Sequence, residues 1–327
     1  MRITINKFIK KVCFSLFHGK KECKAVYWYL MLTKFHWGWP WEKKTPLIVY
    51  ALDSTSYSCG VADRIRGMVG AYVFAKHNNI PFQIVHNSPF LLQDYLVPNK
   101  YNWLPKQETY SYNLFVSQPF ININEYSSNI LMIDKTKQTY YYSNMDIVGL
   151  LNWCYGKKYS FSEAFNELFS PSQKLFEALQ PHLKVLESNY VSISFRFIDL
   201  LGDFIEGIRP ILSADEQIRL IDKCKDVIAK LHSENPRKSK ILVTADSKRF
   251  LHSVENIPYV YVVKGDIGHS GKSKITDGAI MKTFIDFYLI SRASSVFVGV
   301  SGQMYPKSKF AYTAALAQNV PFKIIEF

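Results

Sequence analysis

Across 327 residues there is no Asp-x-Asp triplet, no Cys-x-x-Cys pair and no internal repeat. Each absence removes a class of protein. Without an Asp-x-Asp triplet, a diphosphate held on a carboxylate-bound metal is not indicated, so metal-independent chemistry is expected, with no metal ligands and no cofactor. The five cysteines, Cys13, Cys23, Cys59, Cys154 and Cys224, are odd in number and scattered. That argues against a disulfide framework and fits reduced thiols in the cytoplasm. The longest apolar run near the N-terminus, Ala25 to Leu32, is far below the ~20 residues that span a bilayer. Lysines break the surrounding stretch and no small-residue cleavage site closes it, so no secretory signal is expected. The glycines do not form a dinucleotide fingerprint, because Gly60 and Gly67 lack the G-x-G-x-x-G spacing. Gly268-His269-Ser270-Gly271-Lys272-Ser273 imitates a phosphate loop, but the glycine required five places before Gly271 is Asp266.

Positive charge is abundant and unevenly placed. Forty Lys and Arg face 27 Asp and Glu, a net of +13. Residues 1–50 carry ten basic and two acidic side chains, 10 − 2 = +8, which leaves +5 for the other 277. In that segment lysines interleave with Phe, Trp, Tyr and Leu, the pattern of an interfacial membrane element. The competing readings are an ordinary packed N-terminus and a nucleic-acid partner, and no zinc-finger, RRM or helix-turn-helix pattern supports the last. The expected location is cytoplasmic, peripheral on the inner face of the cell membrane through residues 1–44.

A chain of this length predicts two domains. After a basic aromatic segment (1–45), PLIVY (46–50), a helix over about 63–78 and PFQIVH (81–86) make a β-α-β unit and hence a parallel sheet. Residues 87–145 are loop-rich, with strand-like NILMID (129–134) and TYYYS (139–143), and are expected to build one wall of a cleft. Residues 145–155 and 160–188 read as helical, with restarts at Ser162-Glu163 and Ser170-Pro171-Ser172-Gln173. The second half alternates: VSISF (191–195), a helix from Ser213 to about His232 with Ile218, Leu220, Ile221, Val227, Ile228 and Leu231 on its apolar side, KILVTAD (240–246), a short helix, YVYVV (259–263), a helix ending near Ser294, SVFVGV (295–300), a last helix and FKIIEF (322–327). The expectation is an α/β chain of two Rossmann-like domains facing across a cleft, 46–185 and 186–327.

Ligands of such sheets lie outside the carboxyl ends of the strands, which selects Arg196, Asp246, Lys264 to His269 and Ser301 to Ser308. Val191, Ile193 and Phe195 alternate with Ser192, Ser194 and Arg196, placing Arg196 off the apolar face. Its planar, permanently charged fork suits a diphosphate; the alternative is a surface ion pair with Asp199. Asp203, seven residues past Arg196, is the first choice for a general base, with Glu206 and Asp199 as alternatives and a solvated turn as the plain reading. Asp246 reads either as a ligand group or as a helix N-cap, and His269 as a ligand or a solvated loop residue. Gly60-Val61-Ala62-Asp63-Arg64 opens a helix whose free amides and positive dipole end suit an anionic or hydroxyl-rich ligand.

These elements together resemble the GT-B fucosyltransferases that use GDP-fucose, the group of the nodulation, core α1,6-, α1,2- and protein O-fucosyltransferases. Ser194-Phe195-Arg196-Phe197-Ile198-Asp199 is similar to the group's strand-borne HxR or HxRRxD element, with Ser194 at the histidine position and Phe197 at the second arginine. The segment from Lys282 to Ala293 resembles the late helix whose aspartate contacts guanine, implying that role for Asp286. Tyr305 to Tyr312 is similar to the serine loop and helix start that hold the β-phosphate, implying Ser308, with Ser301 as substitute. Gly60, Asp63 and Arg64 resemble the cleft loop, and the resemblance implies an acceptor-side domain over 46–185 and a donor-binding domain over 186–327. The resemblance implies metal-independent, inverting transfer of fucose from GDP-fucose to a hydroxyl of a surface polysaccharide, lipopolysaccharide or lipid-linked glycan. Another nucleotide sugar, or a non-catalytic glycan-binding or assembly protein, is the alternative, and neither reading involves nucleic acid.

Overall fold

The computed structural model describes residues 2–16, 22–52, 59–105, 110–124, 128–187, 189–207, 209–235, 240–268, 275–306 and 308–327. The chain forms two compact units, Met1–Ser170 and Pro171–Phe327. The division falls one helix earlier than the expected 185/186.

In the first unit, α1 (Arg2–Leu16) and α2 (Glu22–Thr33) precede β1 (Leu47–Leu52), α3 (Val61–His77), β2 (Phe82–His86), β3 (Leu96–Pro98), β4 (Ser117–Asn122), β5 (Gln138–Ser143), α4 (Val148–Tyr155), α5 (Phe161–Leu168) and β6 (Phe169–Pro171). Four strands form a parallel sheet in the order β2-β1-β5-β4. β1 is buried at every residue, as a strand covered on both faces must be. α3 crosses so close to β5 that a Cβ on Gly67 would lie 1.8 Å from the Ser143 carbonyl oxygen, so only glycine fits there.

Two readings of the sequence change here. NILMID is a 3₁₀ turn, Ser128–Met132, rather than a strand. Ile130 and Ile133 are buried while Leu131 and Met132 are exposed, a spacing of three that matches a 3₁₀ repeat and not a pleat. The longest strand that the sequence hid is β4, SQPFIN; the short β3 and β6, the latter inside the stretch 160–188 read as helical, were hidden too. Pro119 and polar residues disguise β4, and they are tolerated because β4 lies at the sheet edge.

The second unit contains α6 (Gln173–Leu186), β7 (Tyr190–Phe195), α7 (Ala214–Glu234), β8 (Lys240–Ala245), α8 (Lys248–Val254), β9 (Val260–Tyr261), α9 (Asp277–Ser291), β10 (Val296–Val300), α10 (Phe310–Ala317) and β11 (Phe322–Glu326). Its sheet is parallel in the order β11-β10-β7-β8-β9. Serine or threonine caps start four of these five helices: Ser172 for α6, Ser213 with Glu216 in a reciprocal box for α7, Ser247 for α8 and Thr276 for α9. YVYVV contributes only two paired residues, at the sheet edge. On α7, Leu220, Ile221, Val227, Ile228 and Leu231 join the core with Val191, Ile193 and Phe195; Ile218 does not, being 51% exposed.

From β7 the chain runs outward to β8 and β9, then returns to place β10 and β11 on the other side. The carboxyl ends of β7 and β10 therefore flank a topological switch point, the crevice where open parallel sheets bind ligands.

Candidate functional site

Arg196 and the Phe197–Leu201 turn leave β7 at this switch point. Ile198 has φ 55°, a left-handed conformation that is a true outlier for a β-branched residue. The Asp246 carboxylate, at the end of β8, holds the turn by accepting from the amides of Phe197 and Ile198, each at 2.8 Å. Asp246 is buried, and burial raises its pKa while Arg196 and the two amides oppose the rise. It is not the N-cap of α8, since Ser247 takes that bond from the Phe250 amide at 3.0 Å.

The Arg196 guanidinium lies between two carboxylates, Nη2 2.7 Å from Glu206 and Nη1 3.2 Å from Asp246. It also sits 5.0 Å over the Phe204 ring, and its side chain is 23% exposed, open to a ligand but partly desolvated. The expected alternative partner, Asp199, makes no such pair. Asp199 is buried and accepts from the amides of Glu206 at 2.5 Å, Gly207 at 2.9 Å and Arg209 at 2.8 Å. Its carboxylate folds the 202–209 loop around itself and is thereby committed to main-chain donors. Asp203 accepts from Ser247 Oγ and the Arg249 amide, both at 2.9 Å, which places it on the first turn of α8. Of the three candidate bases, Glu206 is the one that touches the arginine.

The loop after β10 joins the same group. Ser301 accepts from the Met304 amide at 2.8 Å through its carbonyl, the Tyr305 amide reaches the Arg196 carbonyl at 3.3 Å, and Arg209 Nη1 donates to the Gln303 carbonyl at 2.6 Å. Ser308 is half-buried just before α10, whose first turn receives no side-chain cap. Ser194, at the place of the resembling group's histidine, shares a hydrogen bond of 2.7 Å with Thr244.

Asp286 lies on α9, buried, with Lys282 Nζ at 2.6 Å from Oδ2 and, among the described residues, no hydrogen-bond partner on Oδ1. Burial pushes its pKa up against the pull of Lys282 and, more weakly, His182. Among the described residues no hydrogen bond or ion pair joins Asp286 to Arg196. His269 and residues 270–274 lie outside the described residues.

In the first unit, Asp63 accepts from the Gly60 amide at 3.2 Å and from Arg66 at 2.5 Å, and Arg66 also donates to the Asn144 carbonyl beyond β5 at 3.1 Å. Arg64 is not a loop residue awaiting ligand. It is buried, donating to the Cys59 carbonyl at 3.0 Å and bonded to His86 Nε2 at 2.9 Å. Burial, with the Arg64 charge, pushes the His86 pKa down to about 3. The neutral ring thus accepts from Arg64 and donates from Nδ1 to the Phe90 carbonyl at 3.1 Å. Sequence reasoning named Glu206 but missed Phe204 at Arg196 and Arg209 on the Gln303 carbonyl, and loop residues carry no periodic signal from which to find them.

No protein-family model matches the sequence, and no curated protein matches it. Solved structures do share its fold. A point mutant of Arabidopsis thaliana FUT1 in complex with GDP is 12% identical with TM-score 0.56, covering 97% of this chain and 77% of that one. The α-1,6-fucosyltransferase NodZ co-crystallised with GDP is 14% identical with TM-score 0.54, covering 87% and 96%, as is the structure of NodZ from Bradyrhizobium. The chain shares the fold of these solved structures, an α/β arrangement with parallel sheets.

Proposed function

We propose that this chain is an inverting glycosyltransferase that moves fucose from GDP-fucose to a hydroxyl of a surface glycan, a polysaccharide or lipopolysaccharide. It would work without a metal, in the cytoplasm at the inner face of the cell membrane. The observation that carries the reading is Arg196, a half-open cation at the switch point of the second sheet, in a fold shared with proteins crystallised with GDP. No disulfide joins the described cysteines, which fits a reducing compartment.

In this reading the diphosphate lies on the Arg196 fork, with Ser301, Ser308 and the uncapped amides of α10 taking its remaining oxygens. These donors stabilise the charge that grows on the leaving group. The unpartnered Oδ1 of Asp286 supports an acceptor for a base N–H, His269 is retained as a donor contact, and Gly60 with Asp63 as the acceptor-side loop. Arg64 is not retained, since its guanidinium is spent internally. Glu206 replaces Asp203 as the proposed base. The acceptor oxygen bonds to the anomeric carbon, the bond from that carbon to the phosphate oxygen breaks, and the acceptor's proton passes to Glu206. A bound diphosphate would displace Glu206 from Arg196, so donor binding would release the base.

One observation favours a second reading, another nucleotide sugar or a non-catalytic glycan-binding protein. Ser194 stands at the histidine position and bonds to Thr244. A thermal-shift panel of GDP, UDP, ADP and CMP, with and without magnesium, separates the cases. Stabilisation by GDP alone, independent of magnesium and lost in Arg196→Ala, is expected. A response to UDP instead would move the donor class, and no nucleotide response would leave the binding-protein reading.

A further inference from the structure

Five of the six tryptophans sit in exposed positions, although Trp is usually a well-buried residue. Trp37, Trp39 and Trp41 are 73%, 71% and 76% exposed, Trp153 is 82% and Trp28 is 47%; only Trp103 is buried. The 37–41 segment is held in place by Asn113, a buried side chain. Asn113 Oδ1 accepts from the Gly38 amide at 3.0 Å, and Nδ2 donates to the Trp39 carbonyl and to Glu42, both at 2.8 Å. A Cβ on Gly38 would lie 2.8 Å from the Asn113 side chain, so glycine is required for this clamp. The fold spends a buried polar group on fixing a strip whose indoles remain in water.

The neighbouring helices repeat the pattern. On α1, Phe8, Val12 and Leu16 are exposed at 68%, 39% and 71%, a spacing of four that makes one apolar stripe, while Cys13 is buried. On α2, Lys24, Trp28 and Leu32 are likewise exposed in one column. Val12, Leu16 and Leu32 offer a sugar ligand neither a stacking ring nor a hydrogen bond but bury well among acyl chains, and indoles favour the headgroup boundary. The +8 charge of residues 1–50 complements a negative surface. No helix among the described residues is long and apolar enough to cross a membrane.

We infer that α1, α2 and the Trp37–Trp41 strip form a docking surface for an anionic lipid bilayer, with the three indoles entering the headgroup region. This deepens the peripheral placement proposed above and is tested without donor or turnover, so its failure and that of the nucleotide reading are separable. The full chain is mixed with phosphatidylcholine vesicles, plain or doped with phosphatidylglycerol, and partition is read by sedimentation. Binding to the doped vesicles is expected, with the tryptophan emission blue-shifted and quenched by brominated acyl chains. Trp37→Ala, Trp39→Ala and Trp41→Ala together should weaken partition by about tenfold or more. Lys11→Glu, Lys24→Glu and Lys43→Glu together should remove the preference for doped vesicles. Emission that stays unshifted and unquenched in the wild-type protein overturns the inference, whatever the variants do. So does undiminished partition of the triple tryptophan variant, or binding of dextran sulfate through these indoles with no vesicle binding.

Discussion

Asp246→Asn is nearly isosteric, yet it should open the turn that carries Arg196. The native carboxylate meets three donors, the amides of Phe197 and Ile198 and the Arg196 guanidinium. An asparagine offers one oxygen and one NH2, so in either orientation a donor faces a donor. One charge-assisted bond is lost and a buried polar group goes unpaired, each costing about 1–3 kcal/mol. Relief of carboxylate desolvation, visible in the raised Asp246 pKa, offsets part of this. The net loss expected is about 2–4 kcal/mol. With it goes the restraint on Ile198, whose left-handed φ of 55° needs the clamp. Hydrogen exchange followed residue by residue reads the turn directly. Protection of the Phe197 and Ile198 amides should fall about 30- to 1,000-fold, the range those energies imply. All six tryptophans lie in the first unit, so the tryptophan-detected transition in urea is a control for damage elsewhere. Unchanged exchange at Phe197 and Ile198 would refute the clamp.

Two further outcomes follow from the geometry. Glu206→Gln removes the carboxylate that competes for Arg196, so GDP should bind severalfold tighter by calorimetry, on the order of 1 kcal/mol for a partly exposed ion pair, while transfer is lost; weaker GDP binding would sink the competition argument. For His86, the folded pKa of about 3 lies below the ordinary 6.5, so the unfolded chain takes up the proton first. Its share of stability is intact above about pH 6.5 and falls by ~1.4 kcal/mol per pH unit toward pH 3. Between pH 7 and pH 5 the tryptophan-detected urea transition should lose about 2 kcal/mol more than in His86→Asn, and equal losses would contradict a buried neutral imidazole.

Most of the fold was legible because burial leaves a periodic trace. The runs at 47–52, 190–195 and 240–245 are strands whose buried residues announce themselves, and Ser160, Ser172 and Ser213 mark helix starts by side-chain bonds that local sequence predicts. Failures came where local pattern and tertiary role part. β4 is an edge strand, free to carry Pro119, and so lacks the alternation of an inner one. NILMID has the composition of a strand but the burial of a 3₁₀ turn.

The site divides along a different line. Which residues stand at the strand ends follows from topology, and Arg196, Asp246 and the 301–305 loop do meet there. What each does depends on the donors that happen to surround it, which spacing does not encode. Asp199, Asp203 and Glu206 are three carboxylates within eight residues, equivalent on paper. Among the described residues, Asp199 accepts from the amides of Glu206, Gly207 and Arg209, Asp203 from the start of α8, and Glu206 from the arginine. Only an interaction that a ligand can replace leaves a group available for chemistry. Amides fixed by the fold cannot leave a carboxylate, whereas a guanidinium can exchange one anion for another at little cost, because a phosphate group satisfies the same fork as a carboxylate. The functional distinction among these acids therefore lies in the mobility of their partners.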